Sequence, residues 1–114
     1  MKKAFISQGD SRHKLKITRN VHIQLKDGKQ KEFVQLFESQ ILPVLRQQKG
    51  FQDEITLVDN GRVLAISFWD DRKNAEMYHT SVFPKLVEKL NPMIQGPPKV
   101  ETYEVATSTL AVAA

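Results

Sequence analysis

The stretch from Gly50 to Trp69, GFQDEITLVDNGRVLAISFW, limits the possible folds more than any other part of the chain. Two runs rich in Ile, Val, Leu and Phe flank Asp59-Asn60-Gly61. Asn-Gly is the strongest short hairpin signal, because a type I′ turn needs φ > 0 at both central residues. A two-residue Asn60-Gly61 loop sets Asp59 opposite Arg62, Val58 opposite Val63, Leu57 opposite Leu64 and Ile55 opposite Ile66. A three-residue loop with a bulge at Gly61 swaps the faces of one strand relative to the other, so two registers stay open. In the first register one face carries Ile55, Leu57, Leu64, Ile66 and Phe68. The other carries Thr56, Val58, Val63, Ala65, Ser67 and Trp69. The first is expected to be core. The second is smaller and mixed, yet too apolar for open water.

Around this hairpin the remaining elements follow in order. Ile17, Val21, Ile23 and Leu25 alternate with polar residues from Leu15 to Lys26, with Arg19 interrupting, which predicts a half-buried first strand. Phe33, Leu36, Phe37, Ile41, Val44 and Leu45 form a helical stripe between Lys29 and Gln48. Pro43 lies inside it and predicts a kink or a second short turn of helix. Gly50 is expected at the helix C′ position, after Arg46 and Lys49. Asp70 is expected to cap the second helix, with Asp71 in its first turn. Pro84 divides that helix, turning Leu86, Val87 and Leu90 inward. A last strand runs from Lys99 to about Ser108.

At 114 residues the chain is expected to form one domain. The expected division is a basic, flexible arm over 1–14, a folded unit over 15–108 and a tail over 109–114. The net charge of +4 comes largely from Lys2, Lys3, Arg12, Lys14, Lys16 and Arg19. No aromatic residue interleaves with these charges after Phe5, which favours a solvated basic tail over a nucleic-acid arm. The chain has no cysteine and so can form no disulfide or thiolate metal site. Met1-Lys2-Lys3 is not followed by the apolar run of a signal peptide, and no stretch approaches a membrane span. A cytoplasmic protein without membrane attachment is expected.

The order β-α-β-β-α-β predicts a ferredoxin-like α+β fold, a four-stranded antiparallel sheet with both helices on one face. The face with Val58, Val63, Ala65 and Trp69 is then left uncovered, and a homodimer that closes the two open sheet faces into a barrel is expected. With its helix ending in Leu45-Arg46-Gln47-Gln48-Lys49-Gly50-Phe51, its hairpin closing on Ser67-Phe68-Trp69-Asp70, then Asn74-Ala75-Glu76-Met77-Tyr78 and the strand Glu101-Thr102-Tyr103-Glu104-Val105, the chain resembles the dimeric α/β-barrel superfamily. Within it the resemblance is to antibiotic-biosynthesis-monooxygenase-like domains, over roughly Ile17 to Ala106. That family includes cofactor-independent oxygenases of aromatic polyketides, haem-degrading enzymes and quinol oxygenases. The haem-degrading branch uses an Asn on the first strand with a Trp and a His on the second helix. Here Asn20 is out of phase with Ile23 and Leu25, and the other positions fall near Met77 or Tyr78 and near Val87 or Glu88, so that set is lacking.

The resemblance implies a cleft between sheet and helices, where Tyr78 and His79 are the candidate catalytic residues. Tyr can hydrogen-bond a substrate oxygen, and His can act as a base near neutral pH. Neighbours in a helix do not share a face, so the two are not expected to point the same way. Trp69, Phe33, Phe37 and Phe83 are candidate pocket-lining residues, with packing in the core as the plain alternative for each. His13, His22 and His79 have no ligand spacing, so no metal is expected. Asp53 and Glu54 alternate faces and form no acid/base pair. The resulting expectation is a monooxygenase-like protein acting on a small flat hydrophobic molecule without a cofactor. The alternative is a non-catalytic homodimeric module that binds a small ligand or has a regulatory role.

Overall fold

Asn60 (φ 50°) and Gly61 (φ 81°) both adopt the positive φ of the type I′ turn, and Asp59 pairs with Arg62 across it. The register is thus that of the two-residue loop, with Val58 opposite Val63, Leu57 opposite Leu64 and Ile55 opposite Ile66. The only irregularity in this ladder falls at the far end, where Gln52 bulges between Phe51 and Asp53.

The computed structural model describes residues 15–110, so the basic arm over 1–14 and the last four residues lie outside the described part. The elements run β1 (Ile17–Gln24), α1 (Gln30–Leu36), a π-helical turn (Phe37–Ile41), α2 (Leu42–Arg46), β2 (Phe51–Asp59), β3 (Arg62–Trp69), α3 (Arg72–Ser81), α4 (Phe83–Leu90) and β4 (Lys99–Glu104). The sheet has the order β2-β3-β1-β4, and every neighbouring pair is antiparallel. This is the expected ferredoxin-like arrangement. Among the described residues, no helix is long and apolar enough to cross a membrane.

Pro43 acts earlier in the chain than its own position. Proline has no amide hydrogen, so the usual bond to the carbonyl of Ser39 cannot form. The five residues Phe37–Ile41, immediately before Leu42-Pro43, adopt the wider π geometry. This is the irregularity expected at Pro43. Gly50 (φ 85°) ends the helical segment, and its carbonyl accepts from the amide of Asp70 at 2.9 Å. The cap of α3 is Asp71, one residue later than expected: its side chain accepts from the Lys73 amide at 2.9 Å. Asp70 instead accepts from Asn74 Nδ2, also at 2.9 Å.

The two faces of the sheet are the reverse of the expectation. Val63, Ala65, Ser67 and Trp69 are buried under the helices, in one core with Phe33, Phe37, Ile41, Tyr78, Leu86 and Leu90. The open face holds Ile55, Leu57, Leu64, Ile66 and Phe68. Ile55 and Leu57 there are each 46% exposed. The third strand decides the matter. On β1 the apolar Ile17, Val21 and Ile23 sit opposite Trp69, Ala65 and Val63, while the polar Thr18, Asn20, His22 and Gln24 sit opposite Phe68, Ile66, Leu64 and Arg62. The helices cover the face that is apolar on both strands. The small side chains of Val63, Ala65 and Ser67 also leave room for the aromatic rings above them. Val58 shares the helix-side face but lies at the hairpin end and is exposed.

A Cβ on Gly50 would overlap Asp70 Oδ1 and the Asn74 side chain, whereas one on Gly28 (φ 74°) would meet nothing within 4 Å. Gly28→Ala therefore carries only the backbone penalty of a positive φ, roughly 1 kcal/mol. Gly50→Ala adds the overlap and is expected to lose roughly 2–3 kcal/mol. Urea unfolding of both variants checks this, and equal losses would contradict the packing argument.

Candidate active site

Arg19 organises the site. It lies on the helix-covered face of β1, in phase with Ile17, Val21 and Ile23, and is only 3% exposed. Its guanidinium carbon sits 4.5 Å from the centre of the Phe83 ring and 4.9 Å from that of Tyr78. Its Nη2 donates to His79 Nδ1 at 3.0 Å. Arginine has no acceptor, so this bond makes Nδ1 the acceptor and leaves the proton of the neutral imidazole on Nε2. The ring of His79 stacks on Phe83 at 5.6 Å. Among the described residues no carboxylate lies within 4.0 Å of Arg19.

Beside Arg19, between the sheet and the helices, is a cleft lined by Val21, Ile23, Phe37, Ile41, Leu45, Ala65, Phe83, Leu86 and Leu90. Its polar lining comes from Arg19, Glu54, Ser67 and Tyr78. Its cavity volume is about 30 Å³. The cleft is narrow as it stands. A separate hollow is lined by Ala75, Glu76, His79, Val100 and Thr102. Arg19 lines both.

Burial shifts Tyr78, His79, Arg19 and Glu54. It pushes the Tyr78 hydroxyl up to about 12, against the opposing charge of Arg19. It holds His79 below its usual value, and the charge of Arg19 adds to the effect. Arg19 is itself lowered by burial but stays cationic, since a guanidinium does not lose its proton in proteins. Glu54 is raised by burial, with a smaller push from Asp53 and an opposing bond from the Thr56 hydroxyl, which donates to its Oε2 at 2.6 Å.

The sequence-predicted residues fall into three places. Tyr78, Phe37 and Phe83 line the cleft. His79 lines the outer hollow, yet it meets Tyr78 through Arg19, whose long side chain reaches both. Phe33 and Trp69 are fully buried and do not line the cleft. Trp69 supports it from behind, with its ring 5.1 Å from that of Tyr78 and its Nε1–H donating to Ser67 Oγ at 2.8 Å. Asn20 is on the open face, bonded to Thr18 Oγ1 and the Glu101 carbonyl. Arg19 and Glu54 were not singled out from the sequence. The signal for Arg19 was available in its phase with three buried aliphatic residues.

Residues 16–82, more than half of the 114-residue chain, match the sequence profile of the family described as antibiotic biosynthesis monooxygenase. The chain belongs to this family. A comparison with curated protein sequences finds no match. Among solved structures the family fold recurs at low identity. A protein of unknown function from Nitrosomonas europaea superposes with a TM-score of 0.73 at 17% identity, covering 87% of this chain and 97% of its own. A monooxygenase from Streptomyces coelicolor, in complex with nanaomycin D, gives 0.72 at 16% identity, covering 90% and 99%. SnoaB, a cofactor-independent oxygenase from Streptomyces nogalater, gives 0.69 at 14% identity, covering 83% and 97%. At such identities the likeness establishes the fold that members of the antibiotic biosynthesis monooxygenase family share.

The site makes a titration prediction. His79 is expected to titrate below 6.5 in the native protein. Removing the guanidinium in Arg19→Met should raise that midpoint part of the way back, because burial remains. The sign follows from linkage: with the native value depressed, the unfolded chain binds more protons. The His79 contribution to stability is therefore present above 6.5 and lost as the pH falls through the native value. Histidine ring proton NMR of both proteins checks the midpoints, and an unchanged midpoint in the variant would separate His79 from Arg19.

Proposed function

We propose that this chain is a monooxygenase-like enzyme that oxidises a small, flat, hydrophobic molecule with molecular oxygen, without a cofactor. The observation that carries the reading is an apolar cleft on which three polar groups, Arg19, Glu54 and Tyr78, converge. Membership of the antibiotic biosynthesis monooxygenase family and the fold shared with oxygenases support it. For an anthrone-like substrate the step balances as follows. A ring methylene loses both hydrogens and becomes a carbonyl, one atom of O₂ enters that carbonyl, and the other leaves as water. The electrons come from the two C–H bonds of the substrate.

In this reading the residues do separate work. Phe37 and Phe83 hold the flat ring system in a dry space. Tyr78, kept protonated by burial, donates to a substrate oxygen. The Glu54 carboxylate, made a stronger base than usual by burial, takes the proton. The Nδ1 of His79 is occupied by Arg19, so His79 acts as a positioning residue for the guanidinium. A second reading, a non-catalytic ligand-binding or regulatory module, is favoured by the small water-accessible space in the cleft.

The partner in either reading is a second copy of the chain. Ile55 and Leu57 at 46% exposure and Tyr103 at 56% lie on the open face, beside the half-buried Leu64, Ile66 and Phe68. A monomer rarely leaves such a patch to water, and one face packed on its own copy closes it symmetrically. The cytoplasm remains the expected compartment, which a cysteine-free chain suits.

An oxygen-uptake screen with quinols, anthrones and flavonoids tests the reaction. Tyr78→Phe should lower kcat by about tenfold or more, and His79→Ala should raise KM more than it lowers kcat. No uptake with any of these substrates, or activity unchanged in both variants, would favour the binding module. Sedimentation equilibrium tests the dimer. The expected mass is twice 13.1 kDa, and Leu57→Lys should shift the sample toward 13.1 kDa. A wild-type monomer at micromolar concentration would remove the dimer.

A further inference from the structure

We propose that the cleft selects anionic ligands, flat aromatic molecules that present a carboxylate or a phenolate oxygen to Arg19. The inference rests on the reading that this cleft is the functional site, and it goes further by fixing the charge of what the site holds. A guanidinium that is 3% exposed has lost most of its water. Removing a charge from water is costly unless a partner compensates. A buried arginine normally finds that partner in a carboxylate, and among the described residues none lies within 4.0 Å. Glu54 lines the same cleft, but Arg19 is not among the groups that act on its carboxyl. Glu76 lines only the outer hollow.

What holds Arg19 instead is neutral. The rings of Tyr78 and Phe83 offer their π faces. The imidazole of His79 accepts one hydrogen bond. These contacts offset the cost of burial and fix the group in place, yet they leave its positive charge uncancelled. In surroundings of low polarity that charge acts strongly on whatever enters the cleft. The remaining wall is mostly aliphatic and aromatic, which suits a flat ring system. A ligand that joins such a ring to an anionic oxygen satisfies both halves of the site. Carboxylates and phenolates share this chemistry, and the planar fork of arginine matches either.

Isothermal calorimetry on the full chain tests the inference with three probes of one shape: naphthoate, naphtholate above its own ionisation point, and the neutral naphthamide. Naphthoate is expected to bind at least about tenfold more tightly than naphthamide. Arg19→Met should remove that preference, and Arg19→Lys should keep part of it. The ring protons of His79 should shift in wild type when naphthoate binds, because the anion draws Arg19 away from Nδ1. This measurement decides the matter even if Arg19→Met does not fold. Stronger binding of naphtholate than of naphthoate would name phenolates as the class, and the reverse order would name carboxylates; both support the proposal. Equal affinity for charged and neutral probes in wild type overturns it, as does a preference that survives in Arg19→Met or leaves His79 unmoved. Oxygen uptake is read separately. Anion selection without uptake removes the oxygenase reading alone, and uptake without anion selection removes this inference alone.

Discussion

The pairing of β1 with β3, which sets Val21 opposite Ala65 and Ile23 opposite Val63, decides which side of the sheet the helices cover. Everything at the site descends from that pairing. Because side chains alternate along a strand, a slip of one residue would carry the whole of β1 to the opposite face. Arg19 would then point away from the helices, and Asn20 would take its place under them. The register thus places the cation and the apolar cleft on the same side of one sheet.

Energetically the site sits between two regimes. A fully paired arginine would be quiet, held by its carboxylate and indifferent to ligands. An arginine with no compensation would not stay buried. Two aromatic faces and a neutral imidazole hold Arg19 between these limits. Trp69 stiffens the arrangement from below, pinned through Ser67 and stacked against Tyr78, so the ring beneath the cation has little freedom to turn away.

Much of the fold was legible because its signals are local. Asn60-Gly61 marked the hairpin but left two registers open until both residues were seen at positive φ, and Gly50 marked the end of the helix. The order of elements was enough for the topology. The orientation of the hairpin was not legible, because two strands that are apolar on both sides give symmetrical evidence. Only β1 breaks that symmetry, and its partners on β3 lie 38 to 52 positions away in the chain, from Gln24↔Arg62 to Ile17↔Trp69. The same gap hid the site. In the sequence Arg19 interrupts an apolar strand and adds to a basic N-terminal excess, while its phase with Ile17 and Val21 marks it as inward-facing. Tyr78 and His79 were expected to diverge, as adjacent helical residues do. They still meet one partner, because a long side chain crosses the gap between the two directions.

The π-helical turn bears on how so tight a cleft can admit anything. Phe37 and Ile41, its first and last residues, both form part of the cleft wall. An ordinary helix resists bulging, since each carbonyl is tied four residues ahead. Here that tie is missing at Ser39 and the backbone is spread wider, so the roof over the cleft lacks one of the bonds that hold an ordinary helix closed. Through the lack of an amide hydrogen at Pro43, one proline sets where the roof of the chamber departs from an ordinary helix.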